Sequence, residues 1–294
     1  MGYVATIGFF DGVHRGHQCL ILQVLDEARL RGAPSLLITF DRHPRTVFAP
    51  GGVPPLLTTA EEKMELLRAT GVNDIHVLPF DRAMATLTAR EFMEQVLRDT
   101  LGVSTLVIGY DHHFGRPQGE SFEDYQDYGR ELGFDVVLAH ELEGDHVSSS
   151  AIRRALEDGD VRQAAHLLGR PYRWMGHVVH GHAVGRRLGF PTANLVASES
   201  EKMLPARGAY AVLVDGRPAM LNIGRRPTLD NGNDTTIEAH LLDFEGDLYG
   251  QALTLSFIAR LREERRFTDE VALAAQLKQD REDARVALIN YRDQ

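Results

Sequence analysis

Basic charge, cysteine and long apolar runs are scarce in this sequence, and each shortage removes a class of function. The 294 residues carry 32 Lys and Arg against 42 Asp and Glu, a formal charge of -10. That balance argues against a sequence-independent nucleic-acid surface or an anionic-membrane surface, because neither gains from added negative charge. Local basic pockets stay open. Cys19 is the only cysteine, so no intramolecular disulfide can form, which fits a chain kept in the reducing cytoplasm. It falls in a helical pattern and reads as a small core residue rather than a nucleophile. The apolar start over residues 3–7 is too short to span a membrane, is broken by Gly8, and lacks the basic n-region of a secretory leader. The expected partners are small molecules, with no membrane and no nucleic acid among them and self-association left open.

At 43% hydrophobic and 25% charged residues the composition is that of an ordinary globular chain, and the length favours two domains. Through the first half, strand-like and helix-like patterns alternate. β-Branched runs over 3–7, 36–40, 75–78, 105–108 and 135–138 are separated by helical segments. Capping boxes open two of these: Thr58 or Thr59 with Glu61 or Glu62, and Thr88 with Glu91. Such alternation predicts a parallel sheet covered by helices, with ligands at the carboxyl ends of its strands. Near residue 170 the pattern changes, after Gly169-Arg170-Pro171. The remainder of the chain is mostly strand-like, with Asp215-Gly216 as a hairpin turn, and only the end from Asp269 is helical again. This predicts a small closed or nearly closed β-barrel with a terminal helix. The charge-rich residues 260–266 and 278–285 read as a solvated helix face.

The stretch that organises the first domain is Gly8-Phe9-Phe10-Asp11-Gly12-Val13-His14-Arg15-Gly16-His17. It sits where the first strand hands over to a helix. Glycines there let the backbone turn tightly and approach a ligand, and the new helix offers unpaired N–H groups and a positive dipole end to phosphate. His14 and His17 add donors to the same spot. Further on, Ser148, Ser149 and Ser150 open another helix with Arg153 in its first turn. As plain helix caps they need no ligand, but beside the first site they would grip a triphosphate. No nucleophile or general base for covalent chemistry is evident in this half. Adenylyl transfer needs neither, since an existing phosphate can attack the α-phosphorus of ATP while the protein stabilises charge on the oxygens. The histidines at 14, 17, 43, 112 and 113 have spacings that fit no familiar transition-metal set.

Three stretches carry a resemblance: residues 8–17, Thr39-Phe40-Asp41-Arg42-His43-Pro44-Arg45, and Gly109-Tyr110-Asp111-His112-His113-Phe114-Gly115. Together with the serine–arginine segment they resemble the bacterial bifunctional riboflavin kinase/FMN adenylyltransferases, the FAD synthetases. The departures are Ser150, where that family usually has Thr, and Phe9, where Asn is frequent. The resemblance implies that His14, His17, Ser148, Ser149, Ser150 and Arg153 handle ATP phosphates, with Gly8, Phe9, Phe10, Asp11 and Gly16 forming the ATP-binding turn. It further implies that Asp41, His43, Pro44, Arg45, Asp111 and Phe114 contribute to a flavin site.

The second domain has a separate pattern, Gly185-Arg186-Arg187-Leu188-Gly189-Phe190-Pro191-Thr192-Ala193-Asn194. Gly185 and Gly189 suit a loop that wraps phosphate without a Walker lysine. Thr192 and Asn194 are oxygen donors two apart, hence on one face if extended, which suits Mg²⁺–ATP. This segment is similar to the riboflavin kinase signature, and Ile237-Glu238-Ala239-His240-Leu241 to the strand that bears its catalytic carboxylate. By itself Glu238 would be an exposed-face residue. The resemblance makes it the base for the riboflavin 5′-hydroxyl, places Asn222 at the flavin, and makes Thr192 and Asn194 the Mg²⁺ ligands. It implies a Rossmann-like α/β nucleotidyltransferase domain over 1–169 and a β-barrel riboflavin kinase domain over 170–294. The expected activity is riboflavin to FMN, then FMN to FAD, each with ATP and Mg²⁺. The rivals are a nucleotidyltransferase for another phosphate, which would leave the barrel without a purpose, and a flavin-binding protein with a dead site.

Overall fold

Tyr3–Ile7 (β1) is flanked on both sides by apolar layers, which is why the run lacks alternation. On one face Val4 packs with Val24 and Ala28 of the helix Arg15–Arg31 (α1). On the other, Ala5 and Ile7 pack with Phe92, Met93 and Leu97. The computed structural model describes residues 2–48, 52–109, 114, 119–142, 144, 146–181, 185, 188–225 and 235–292. In chain order the first half continues with Ser35–Phe40 (β2), Ala60–Arg68 (α2), Asp74–Leu78 (β3), Phe92–Thr100 (α3), Val103–Ile108 (β4), Phe122–Leu132 (α4) and Asp135–Leu138 (β5). The strands form one parallel sheet in the order β3-β2-β1-β4-β5. The order reverses at β1, so the ends of β2, β1 and β4 border the crevice where such sheets take ligands. Local signals set the helices as expected. Thr59 with Glu62 and Thr88 with Glu91 are true capping boxes, and Gly32 closes α1 at φ 61°. The loop after β2 also holds a short helix, Arg45–Phe48, that the sequence pattern did not announce.

The second half begins with two helices, Ser149–Glu157 (α5) and Val161–Leu168 (α6), and then becomes strands. Tyr172–Val179 (β6), Ala193–Ala197 (β7), Gly208–Val214 (β8), Arg217–Arg225 (β9), Thr235–Leu241 (β10) and Ala252–Glu263 (β11) close into a barrel, ordered β10-β7-β6-β11-β8-β9. Asp215 and Gly216 take φ of 46° and 81°, the positive pair that a two-residue hairpin turn requires. Along β6 buried and exposed residues alternate strictly, so one face fills the barrel. The last helix, Glu270–Arg292 (α7), covers part of the outside, with Ala284 and Leu288 packed against Ala211, Met220 and Ala259.

The chain packs as two compact units, Met1–Ser148 and Ser149–Gln294. The packing division precedes the sequence boundary at 169/170, because α5 and α6 are tied to the barrel. The Ala206 N–H donates to the Leu156 carbonyl at 2.9 Å, and Arg260 donates to the Asp158 carbonyl at 3.1 Å. Among the described residues no helix is long and apolar enough to cross a membrane.

Candidate active sites

In the first unit the turn between β1 and α1 is held in a conformation that it would not adopt alone. Phe10, Gly12 and Val13 have φ of 55°, 79° and 39°, and for a β-branched residue such as Val13 this is a strained region. Three contacts over-determine it. The Phe10 ring is buried edge-on against His17, 5.2 Å between centres, and fills the space where a Cβ on Gly8 would fall. The Asp11 carboxylate accepts from the Leu57 and Thr58 N–H groups at 3.0 and 3.1 Å. The Gly12 N–H donates to Thr58 Oγ1 at 3.0 Å. Asp11, read from the sequence as part of the ATP turn, thus holds that turn through its carboxylate.

His14 follows the strained turn as the N-cap of α1. Its Nδ1 accepts from the His17 N–H at 3.2 Å, and the two rings stack with centres 3.6 Å apart. A ring whose Nδ1 accepts carries its proton on Nε2, so a neutral His14 is a donor at its other nitrogen. A Cβ on Gly16 would lie 3.2 Å from the His14 ring, so a larger residue there would press on this stack.

At the neighbouring strand end, burial pushes the Asp41 carboxyl up, but the Arg42 guanidinium and the Phe80 N–H together hold it below the usual carboxylate range. His43 accepts the Arg45 N–H at Nδ1 and meets the Phe9 ring edge-on at 4.8 Å, so the first and second stretches do come together. Pro44 starts the turn that carries Arg45, which is exposed. Phe114 is gripped by Tyr125, whose hydroxyl both donates to its carbonyl and accepts its N–H at 3.1 Å. Asp111 lies outside the described residues, as do His112 and His113. Ser148 closes the first unit, and Ser149, Ser150 and Arg153 lie on α5 in the second, Arg153 being buried.

In the barrel, strand register assembles the second site. Glu238 on β10 pairs with Asn194 on β7 at one side and with Asn222 on β9 at the other. Directly opposed residues of antiparallel strands share a face, so the three polar side chains form a row. Ile237 and Ala239 point into the barrel, which puts Glu238 outside. Thr192 Oγ1 lies 3.5 Å from Glu238 Oε2. A Cβ on Gly181 would fall 2.1 Å from the Asn194 amide, so any larger residue there would displace that side chain. His240 Nδ1 donates to the Pro191 carbonyl at 2.8 Å, tying the glycine-rich segment to the same strand.

One cavity takes in part of this row and a second lies beside Thr192. The first, about 290 Å³, is lined by Asn222, Glu238, Gly185 and Thr192 on the barrel and by Leu277 and Asp280 on α7. The other, about 330 Å³, is lined by Thr192, Pro191, Phe244, Asp247 and Tyr249. Thr192 belongs to both. A residue shared between two cavities, with a carboxylate beside it, is where two substrates would meet. Gly189 lies in the turn leading to Thr192 at φ 81°.

Sequence reading missed several members of the first cavity. Residues 260–266 and 278–285 are not one solvated helix face. Arg260 and Arg262 lie on β11, and Arg262 binds the buried Asp280 carboxylate through both Nε and Nη2, at 2.9 and 2.7 Å. Gln276 Nε2 donates to the same carboxylate at 2.6 Å. The only available signal was an acid among bases in a helix, which a solvated face shows equally. Breaking one side of a buried pair costs about 3–5 kcal/mol. Asp280→Ala should therefore shift the urea midpoint of the barrel to lower denaturant. Trp174, the only tryptophan and buried in β6, reports on the barrel by its fluorescence. An unmoved midpoint would show that the pair adds nothing.

Known proteins match the chain in both halves. A family model described as FAD synthetase matches residues 1–151, and one described as riboflavin kinase matches residues 168–288. The chain is 41% identical over 285 residues to the bifunctional riboflavin kinase/FMN adenylyltransferase of Pseudomonas fluorescens, covering 95% of this chain and 91% of that protein. It is 39% identical over 291 residues to the protein of the same name from Escherichia coli strain K12, covering 97% and 92%. A crystal structure named as a macrolide-efflux protein from Streptococcus pneumoniae superposes with a TM-score of 0.87 at 32% identity, over 97% of this chain and 94% of that one.

Proposed function

The chain belongs to the bifunctional riboflavin kinase/FMN adenylyltransferase family, and from that premise we propose which residues perform each step. The protein phosphorylates riboflavin to FMN with ATP and joins FMN to the AMP moiety of a second ATP, giving FAD. We assign the adenylyl step to residues 1–169 and the kinase step to residues 170–294.

In the kinase step the row Asn194–Glu238–Asn222 is the observation that carries the reading. Riboflavin occupies the cavity under α7, near Asn222, and ATP the cavity beside Tyr249, with its phosphates toward Thr192, which both cavities share. Gly185 and Gly189 are assigned to those phosphates on their sequence pattern. Glu238 takes the proton of the 5′-hydroxyl as that oxygen bonds to the γ-phosphorus and the bond to ADP breaks. The donor set fits a hard cation, since Thr192 and Asn194 offer neutral oxygens beside a carboxylate. Thr192 and Asn194 would hold Mg²⁺, which when bound neutralises phosphate charge.

In the adenylyl step an FMN phosphate oxygen bonds to the α-phosphorus of ATP and pyrophosphate leaves. No general base is needed. His14 and His17, with the N–H groups opening α1, donate to the phosphate oxygens, and Asp11 and Phe10 keep that turn in place. Ser148, Ser149, Ser150 and Arg153 are assigned to the same phosphates on their sequence pattern. Asp41, His43, Pro44, Arg45, Asp111 and Phe114 are assigned to the flavin. The single cysteine supports placing the enzyme in the cytoplasm.

The test is chromatography of the products from pure protein, riboflavin, ATP and Mg²⁺. FMN followed by FAD is expected, and chelating the metal should stop both. FMN alone would remove the adenylyl assignment. FAD from supplied FMN, with nothing from riboflavin, would remove the kinase assignment.

A further inference from the structure

Lys63 had no place in the sequence reading, yet it is the only lysine of the first unit and is buried, at 5% exposure. It leaves α2 and reaches the carboxyl end of the sheet. Its Nζ donates to the Phe40 carbonyl at 3.0 Å, at the last residue of β2. The same ammonium lies 4.1 Å from the centre of the Phe9 ring, in the turn after β1. Phe9 in turn meets His43. One cation therefore touches both the stretch that leads into His14 and the strand that leads into Asp41–Arg45. Lysines are rarely buried without a reason, because desolvating the charge is costly. The carboxylates facing it are Asp11 from the β1 turn and Asp41 from the β2 loop, and Asp41 also carries Arg42. The ring contact depends on Phe9 itself, since only an aromatic face attracts a cation in this way.

We propose that Lys63 is a positioning residue for adenylyl transfer, its ammonium locking the phosphate-binding turn after β1 to the flavin-binding loop after β2. The inference rests on the assignment of that step to the first unit. Phosphoryl chemistry of this kind depends on holding two substrates in line, and a misplacement of about 1 Å can cost roughly 100-fold. The lock also has a protonation limit. Burial pushes the Lys63 ammonium down to about 8, with Asp11 and Asp41 opposing the shift. The charge is thus present at neutral pH and is lost as pH rises through about 8, taking the attraction to the Phe9 face with it.

The experiment measures both activities of the full-length chain against pH, with FMN formation at the barrel as the internal control. Wild type should lose FAD formation above about pH 8 relative to FMN formation. Lys63→Met should lower kcat/KM for FMN adenylylation roughly 100-fold, with no fall near that pH and with FMN formation unchanged. Lys63→Arg, which keeps its charge throughout, should recover much of the rate and also lack the fall. Normal FAD formation by Lys63→Met, an alkaline fall that persists in Lys63→Arg, or equal loss of both activities would each overturn the proposal. Wild type that makes no FAD at any pH would instead overturn the adenylyl assignment beneath it.

Discussion

Glu238→Ala should stop FMN formation from riboflavin while FAD formation from supplied FMN continues at the wild-type rate. A positioned general base contributes roughly 100- to 10,000-fold, so the kinase kcat should fall within that range. The fold has little reason to object. Glu238 stands on the outer face of β10, half-buried, between two asparagines that it opposes across the strands. Substitutions at such positions usually change stability by no more than about 0.5 kcal/mol. Trp174 fluorescence should therefore report an unaltered barrel. Glu238→Gln keeps the size and a hydrogen-bonding oxygen but cannot accept the proton, so it should be nearly as inactive. A glutamine variant with substantial kinase activity would reduce Glu238 to an organiser of the Asn194–Asn222 row. Loss of FAD formation as well would contradict a chain with two separate chemistries.

The opposite pattern is expected at the other site. His14→Ala should remove FAD formation from FMN and leave FMN formation from riboflavin intact. Loss of one donor aimed at developing charge costs roughly 100- to 1,000-fold in kcat. His14 has a second role that could confuse the result, because its Nδ1 caps α1 through the His17 N–H. Losing a cap costs about 1 kcal/mol of stability, too little to unfold the unit but enough to disturb the turn. His14→Asn separates the two roles. Asparagine is a good N-cap and can accept the same N–H, while its amide lacks the ring donor that faces away from the cap. If the asparagine variant is as inactive as the alanine variant, the ring nitrogen is what the reaction uses. If it restores FAD formation, His14 is a helix cap and the phosphate assignment passes to His17 and the helix N–H groups. Both variants can be followed in one assay, with the barrel supplying the control.

The parts of this protein that sequence made legible are those whose cause is local. Alternating β-branched runs and capping boxes announced the parallel sheet, because helix starts and buried strands depend on residues within a few positions. The hairpin at Asp215-Gly216 was equally legible, since a two-residue turn with positive φ admits few residue types. The change from helix–strand alternation to strands announced the barrel. Gly8–His17 and the segment from Gly185 to Asn194 stood out by their neighbours and their order along the chain, whereas Glu238 was singled out only by the resemblance of its strand. The short strand β7 was not announced, because its five residues, Ala193–Ala197, begin at the end of the glycine-rich segment, whose turn residues mask the strand's start.

Other features depended on partners far away in sequence. Lys63 looks like any surface lysine on an amphipathic helix until Phe40 and Phe9 are brought to it. Asp280 sits among charges that suit a solvated face until β11 presents Arg262. Asp11 reads from the sequence as part of the ATP turn, and that its carboxylate holds the turn through Leu57 and Thr58 appears only once residues 57 and 58 are brought to it. The sequence by itself determined the two architectures and their order, because those depend on periodicity and local turn chemistry, and the resemblance of its contiguous motifs to a known family supplied the chemistry. Tertiary structure alone decided which charges are buried and which residues hold the motifs in place, because burial and pairing depend on segments that meet only when the chain has folded.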